Sequence, residues 1–158
     1  MIRLRRARLE DADAIADIHT SARREAMPWL PVLHSDDETR GWVAEIVLPN
    51  QDVWVAEVDG EVVGYVSING AELNDLYIRP GYQGRGIGTA LLEQAKGRSP
   101  DELSLWAFQR NAGARRFYER HGFEAVELTD GADNEEKEPD VRYRWIGSLR
   151  ALEEDDGN

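Results

Sequence analysis

The chain of 158 residues contains no cysteine. Disulfides, thiolate metal sites and a cysteine nucleophile are thereby excluded, and a reducing compartment fits. No segment approaches the ~20 apolar residues that a membrane span needs. The basic start Met1-Ile2-Arg3-Leu4-Arg5-Arg6 lacks the apolar stretch that follows in a secretion signal. A cytoplasmic protein without membrane association is expected. Positive charge is scarce: 19 Lys and Arg stand against 31 Asp and Glu, a net charge of −12. A nucleic-acid partner is not expected, because phosphate contacts need a basic face. A cationic substrate is weakly favoured through steering. The acids cluster from Asp130 to Asp140 and from Glu153 to Asp156. The length suits one domain able to bury roughly 70% of its unfolded surface. That domain is expected over 1–146, with a disordered acidic tail over 147–158.

Alternation over Ile2 to Ala7 predicts a first strand. Asp11 to Met27 reads as a helix, with Ile15, Ile18 and Ala22 on one face and Asp11 and Asp13 in its acidic first turn. Pro28 and Pro31 break it. Ser35-Asp36-Asp37-Glu38 is a capping box that opens a second helix. In that helix Trp42, Val43, Ile46 and Val47 recur at helical spacing, and Leu48-Pro49-Asn50 ends it. Strands Val53–Val58 and Glu61–Ile68 meet across Asp59-Gly60, a tight-hairpin signal that Asn69-Gly70 repeats before a strand over Glu72–Ile78. Further on lie a helix near Gly86–Lys96, a strand over Leu103–Phe108, a helix over Ala112–Arg120 stopped by Gly122, and strands at Phe123–Leu128 and Val141–Trp145. The fold class is α+β: one mixed, mostly antiparallel sheet of about seven strands flanked by about four helices. Strand, loop, helix, strand makes at least one parallel crossover.

The most informative run is Leu76 to Leu92, where Gly81, Gly84, Gly86 and Gly88 fall between an apolar strand and an apolar helix. Such a loop turns bare N–H groups toward an anion, and the helix adds its unpaired donors and the positive end of its dipole. Leu91 stands where a dinucleotide fingerprint needs its third glycine, and no Gly-Lys-Ser/Thr is present. The strand before the loop also belongs to a hairpin meander, which neither the dinucleotide nor the Walker fold supplies.

Gln83-Gly84-Arg85-Gly86-Ile87-Gly88 resembles the Q/R-x-x-G-x-G/A signature of the GNAT superfamily of acetyl-CoA-dependent N-acetyltransferases. Asn111 to Phe123 resembles its second cofactor segment, and element order agrees over about residues 1 to 146. The resemblance implies acetyl-CoA as cosubstrate in a V-shaped gap between the strands at Ile78 and at Leu103–Phe108. It implies pyrophosphate binding by the backbone of Gln83, Gly84, Arg85, Gly86, Ile87, Gly88 and Thr89. Leu76, Tyr77 and Ile78 would take the pantetheine arm in the manner of an added strand, with Asn111 hydrogen-bonded to it. Arg116, with Arg115, either reaches CoA phosphates or solvates a helix face. The Ile78 N–H would polarise the thioester carbonyl, and Tyr118 would sit at the sulfur.

Acetyl transfer to nitrogen needs a neutral amine, an oxyanion donor and an acid for the departing thiolate. Tyr118, protonated at neutral pH with a phenol pKa of ~10, is the acid candidate. Glu72 is the first base candidate because it shares the face of Ile78, although ~20 Å along the strand separates them. Asp75 faces the opposite way and ranks below it. Trp29 and His34, in the break between the first two helices, are expected to shape the acceptor pocket. Glu136, within Glu135–Asp140, is expected either to form an acidic lip for a cationic acceptor or to be solvated. No metal is expected. The acceptor is left open among small cationic amines and peptide or protein amines. A homodimer fits the family, and a non-catalytic acyl-CoA-binding module is the alternative.

Overall fold

The computed structural model describes residues 1–147, so the expected acidic tail lies outside the described residues apart from Gly147. Seven strands form one sheet: β1 Ile2–Arg6, β2 Asp52–Val58, β3 Glu61–Asn69, β4 Glu72–Ile78, β5 Glu102–Phe108, β6 Glu124–Leu128 and β7 Asp140–Ile146. Their order is β1-β2-β3-β4-β5-β7-β6. The main helices are α1 Ala12–Ala26, α2 Asp36–Trp42, α3 Ile87–Arg98 and α4 Ala112–Arg120. No helix among the described residues is long and apolar enough to cross a membrane. The chain divides into two compact units, the first being Met1–Asn69 with Leu73–Ala95, the second Gly70–Glu72 with the residues from Lys96 onward.

In the first unit the β2–β3 turn is the one read from sequence. Val58 pairs with Glu61, and Asp59 (φ 53°) and Gly60 (φ 79°) both take the left-handed conformation that this two-residue turn demands. The next turn differs by one position. Asn69 stays in β3, and Gly70 and Ala71 make the turn, with positive φ (61°) at Gly70. The Ser35 capping box is present in full: Glu38 N–H donates to Ser35 Oγ at 3.1 Å and Ser35 N–H to Glu38 Oε1 at 3.0 Å. Asp11 does not act through the α1 dipole alone. Its buried carboxylate accepts from the Arg5 fork (2.8 Å to each oxygen) and from Arg8 N–H (2.7 Å). Arg5 holds that carboxyl below its ordinary range.

The second helix does not keep one α-helical face to its end. Val43–Val47 forms a wider turn with Leu48 N–H bonded to Val43 O, followed by Leu48–Asn50. Val43 and Val47 are buried, but Ile46, expected beside them, is 52% exposed. Pro49 supplies the reason: in a regular helix its ring would meet the carbonyl one turn back, and a widened turn relieves that clash. Ile15, Ile18, Val43, Val47, Val53, Val55 and Tyr65 pack into one core, each aliphatic side chain contributing about 1.5–3 kcal/mol through burial.

The second unit is built on β5, β7 and β6, with the full β5–β7 register from Glu102↔Ile146 to Phe108↔Asp140. Leu103, Leu105, Val141, Tyr143, Trp145, Phe123 and Tyr118 are buried. Glu72 of β4 pairs in parallel with Ser104 of β5, the parallel connection that the sequence predicts. Lys96 is buried here: its Nζ donates to His121 O at 2.7 Å and lies 4.9 Å from the centre of the Trp145 ring.

Candidate active site

The glycine loop leaves β4 at Arg79, whose N–H bonds Val63 O at 2.7 Å. Its guanidinium pairs with Asp17 at 2.8 Å. A tight turn follows, with Tyr82 N–H bonded to Arg79 O and Gly81 N–H to Gln83 Oε1. Gly81, Gly84 and Gly86 have φ of 94°, 76° and 83°, conformations that side-chain-bearing residues rarely adopt. A Cβ added at any of the three would meet no protein atom within 4 Å. These glycines are therefore demanded by backbone conformation and by whatever approaches the loop, not by packing within the protein. Ala90 N–H bonds Gly86 O, so the amides of Gly86, Ile87 and Gly88 precede any i→i−4 acceptor in α3 and face the start of the helix. Exposed Arg85 stacks its guanidinium 5.0 Å from the Tyr82 ring centre. The loop expected to cradle an anion over Gln83–Thr89 thus has positive φ and open Cβ directions at Gly84 and Gly86.

On the α1 side of β4 the structure assembles a cluster around Asp75, the carboxylate ranked below Glu72 from sequence. His19 Nδ1 lies 3.0 Å from Tyr65 Oη, and the Asp75 carboxylate acts electrostatically on Tyr65. Arg23, one helical turn after His19, donates to Tyr77 Oη at 2.9 Å and acts electrostatically on Asp75. His19 also meets the rings of Trp42 (5.4 Å) and Tyr77 (5.2 Å). Burial, then the Arg23 charge, depresses the His19 pKa to about 4. Burial raises Asp75 to about 6, against the opposing pull of Arg23 and Tyr65. Burial also pushes the Tyr65 phenol well above its ordinary value. The signal available in sequence was modest: His19 and Arg23 share a helix face, and Asp75 and Tyr77 share a strand face.

Of the acceptor candidates, His34 is exposed, 3.8 Å from Glu38, while Trp29 is half-buried beside buried Leu30.

In the second unit Glu72, expected as the base, is captured instead. Both of its oxygens are taken by the Arg142 fork, at 2.9 Å for Oε2 and in closer contact for Oε1. The same guanidinium lies 5.2 Å from the Trp106 ring centre. Tyr118 is buried among Phe117, Phe123 and Tyr143. Asn111 caps α4, its Oδ1 accepting from Ala114 N–H at 3.2 Å, a role its residue type also favours. Arg115 turns inward to Tyr143 Oη (2.9 Å), which in turn donates to Glu119. Arg116 is the exposed member of the pair. In the acidic loop, buried Asp140 bonds Thr129 and Asn134, and Glu138 pairs with Arg110 at 2.6 Å. Lys137 (φ 55°) donates to Ala132 O. Glu135 is exposed and Glu136 half-buried.

Comparison with known proteins agrees with this geometry. Residues 49–125 match the model of the acetyltransferase (GNAT) domain. The peptidyl-lysine N-acetyltransferase YjaB of Salmonella typhimurium is 30% identical over 130 residues, covering 80% of this chain and 86% of that protein. The peptidyl-lysine N-acetyltransferase YiaC of Escherichia coli is 38% identical over 86 residues, 54% of this chain and 58% of that protein. An uncharacterized N-acetyltransferase of Methanocaldococcus jannaschii is 38% identical, with 41% of its length covered. The chain thus spans about half the length of these last two relatives. Among solved structures, apo YjaB from Escherichia coli superposes with a TM-score of 0.77 at 25% identity, covering 93% of this chain and 99% of that one. A PaiA N-acetyltransferase from Thermoplasma acidophilum, solved with coenzyme A, gives 0.71 at 21% identity, covering 92% and 99%. With the mixed sheet, the glycine loop and these relatives together, the chain belongs to the GNAT acetyltransferase family.

Proposed function

We propose that this chain transfers the acetyl group of acetyl-CoA to a primary amine, by direct attack within a ternary complex. The observation that carries this reading is the loop of Gly81, Gly84 and Gly86, whose positive φ and open Cβ directions suit a pyrophosphate at the start of α3. Gln83 to Thr89 would hold that group through backbone N–H donors, with Arg85 and exposed Arg116 near the phosphates. Leu76 to Ile78 and Asn111 would position the pantetheine arm. Tyr118 would protonate the departing sulfur. YiaC and YjaB both carry the name peptidyl-lysine N-acetyltransferase, which favours a lysine side chain in a peptide or protein as the acceptor. A net charge of −12 supports a cationic acceptor, with Trp29, His34 and Glu136 as its candidate contacts. A soluble cytoplasmic location fits the cysteine-free, highly charged composition.

The test is thiol release from acetyl-CoA with a panel of lysine peptides, polyamines, amino acids and aminoglycosides, each product checked for a mass gain of one acetyl group. The expected result is release with a lysine peptide above the rate with free amino acids. CoA binding with no release on any amine would refute the enzyme reading and leave an acyl-CoA-binding module.

A further inference from the structure

We infer that Arg79 is the positioning residue of the glycine loop: its side chain clamps the loop's entrance to α1 and β3, and so sets the affinity for acetyl-CoA without itself being a phosphate ligand. This rests on the acetyl-transfer reading above. Arg79 is the first residue after β4. Its N–H donates to Val63 O at 2.7 Å, which carries the contact with β3 one residue beyond the end of β4. Its carbonyl accepts from Tyr82 N–H at 3.0 Å and closes a four-residue turn. Pro80 and Gly81 fill the middle of that turn, and Gly81 has a φ of 94°. Proline second and a left-handed glycine third is the pattern of a type II turn. The direction in which the glycine run leaves the sheet is therefore set at Arg79.

The side chain of Arg79 is held from two other elements. One terminal nitrogen donates to Asp17 of α1 at 2.8 Å. Nε and Nη2 both reach Val62 O of β3 at 3.4 Å, and Glu61 Oε1 lies 3.8 Å from Nε. Only 23% of the Arg79 side chain is exposed. A planar fork can hold partners on two elements at once, which the single ammonium of a lysine does less well. Glu61 also accepts from Tyr82 Oη at 3.3 Å, and the Tyr82 ring in turn carries Arg85 at 5.0 Å. The contacts thus run from α1 through Arg79, Glu61 and Tyr82 to exposed Arg85, all within the first compact unit.

Glycines lose more conformational freedom on ordering than any other residue. A glycine loop free at its stem would bear that loss when its ligand binds, and affinity would fall accordingly. With the stem clamped, the loss falls on folding instead. Arg79 is not the anion's own partner, because a phosphate could take its guanidinium only by breaking the Asp17 pair. The sign of an Asp17 substitution separates the two roles. As a bare negative charge beside an anion site, Asp17 would oppose binding, and its removal would tighten it. As the anchor of the clamp, its removal weakens binding.

The experiment compares wild type with Arg79→Gln, Arg79→Lys, Asp17→Ala and the double variant Arg79→Gln/Asp17→Ala. It reads acetyl-CoA affinity by calorimetry, KM for acetyl-CoA and kcat with a lysine peptide, and Tm. Arg79→Gln should weaken affinity about five- to tenfold and raise KM in step. Its kcat at saturating acetyl-CoA should fall by less than about twofold. Asp17→Ala should weaken affinity about two- to fivefold, and Arg79→Lys should recover part of the Arg79→Gln loss. The double variant should bind no more weakly than Arg79→Gln alone, because the pair acts as a unit. Affinity in Arg79→Gln within about twofold of wild type, with or without a lower Tm, would overturn the clamp. So would tighter binding by Asp17→Ala, or a kcat that falls as far as the affinity. If Arg79→Gln does not fold, Asp17→Ala, on the exposed side of α1, decides alone. Wild type that binds acetyl-CoA but releases no thiol with any amine would overturn the acetyl-transfer reading and leave the clamp standing.

Discussion

Gly64 of β3 faces Ile78 and Ile87, the residues that flank the glycine loop, and its replacement by alanine gives a graded test of how that loop is supported. The added methyl would sit 3.0 Å from Ile78 Cδ1, 3.1 Å from Leu91 Cδ1 and 3.2 Å from Ile87 Cγ2. Carbon atoms in good contact are about 3.5–4.0 Å apart. Leu91 and Ile87 are fully buried, so three neighbours cannot all step aside at once. Overpacking of this kind costs about 1–3 kcal/mol. The loss of glycine entropy in the unfolded chain returns about 0.4–1 kcal/mol. The net destabilisation is therefore about 1 kcal/mol, or roughly 2–4 °C in Tm for a protein of this size. The displacement falls on Ile78, the last residue of β4, and on Ile87, the first of α3. KM for acetyl-CoA should therefore rise a few-fold while kcat changes less. Gly97→Ala is the matched control: Gly97 is exposed in the last turn of α3, with nothing within 4 Å of an added Cβ. It should raise Tm by the equivalent of about 0.5–1 kcal/mol. Thermal melts of both variants decide the matter. A Gly64→Ala protein that melts at or above wild type would refute the packing argument.

Gly86→Val should abolish measurable acetyl-CoA binding by calorimetry, because a branched side chain is strained at φ 83° and would fill the space an anion needs; retained affinity would refute the cradle. Tyr118→Phe should lower kcat more than it raises KM for acetyl-CoA, and an unchanged kcat would remove the acid role. Glu72→Gln should leave kcat within about threefold of wild type while lowering Tm, since it strips a partner from Arg142. A kcat collapse at unchanged Tm would return the base to Glu72.

The parts of this structure that were legible in sequence are those fixed by neighbours in the chain. Asp59-Gly60, the Ser35–Glu38 box and the glycine run each carry their conformational reason within a few residues, and the structure keeps all three. Local rules failed where a distant or competing partner intervened. Pro49 widened the helix before it and turned Ile46 outward. Arg5, a residue of β1, drew the Asp11 carboxylate to itself. Glu72 was chosen by strand and face, but the partner its carboxylate takes is Arg142, 70 positions away. The cluster of His19, Tyr65 and Asp75 draws on α1, β3 and β4. No periodicity in any one of those elements announces it, because each residue alone reads as ordinary core or ordinary strand.

Lys96, set against Trp145 and bonded to a helix-end carbonyl, has a chemical consequence beyond packing. Of the 19 basic residues only Lys96 and Lys137 are lysines, and the rest are arginines. A guanidinium is protonated at every working pH and has no lone pair to offer a thioester. Lys96 is shielded by its burial and Lys137 is tethered to Ala132 O. A protein that handles an activated acetyl group beside amines thus carries only two side-chain amines of its own, and its positive charge is written mostly in a form that acetylation cannot erase.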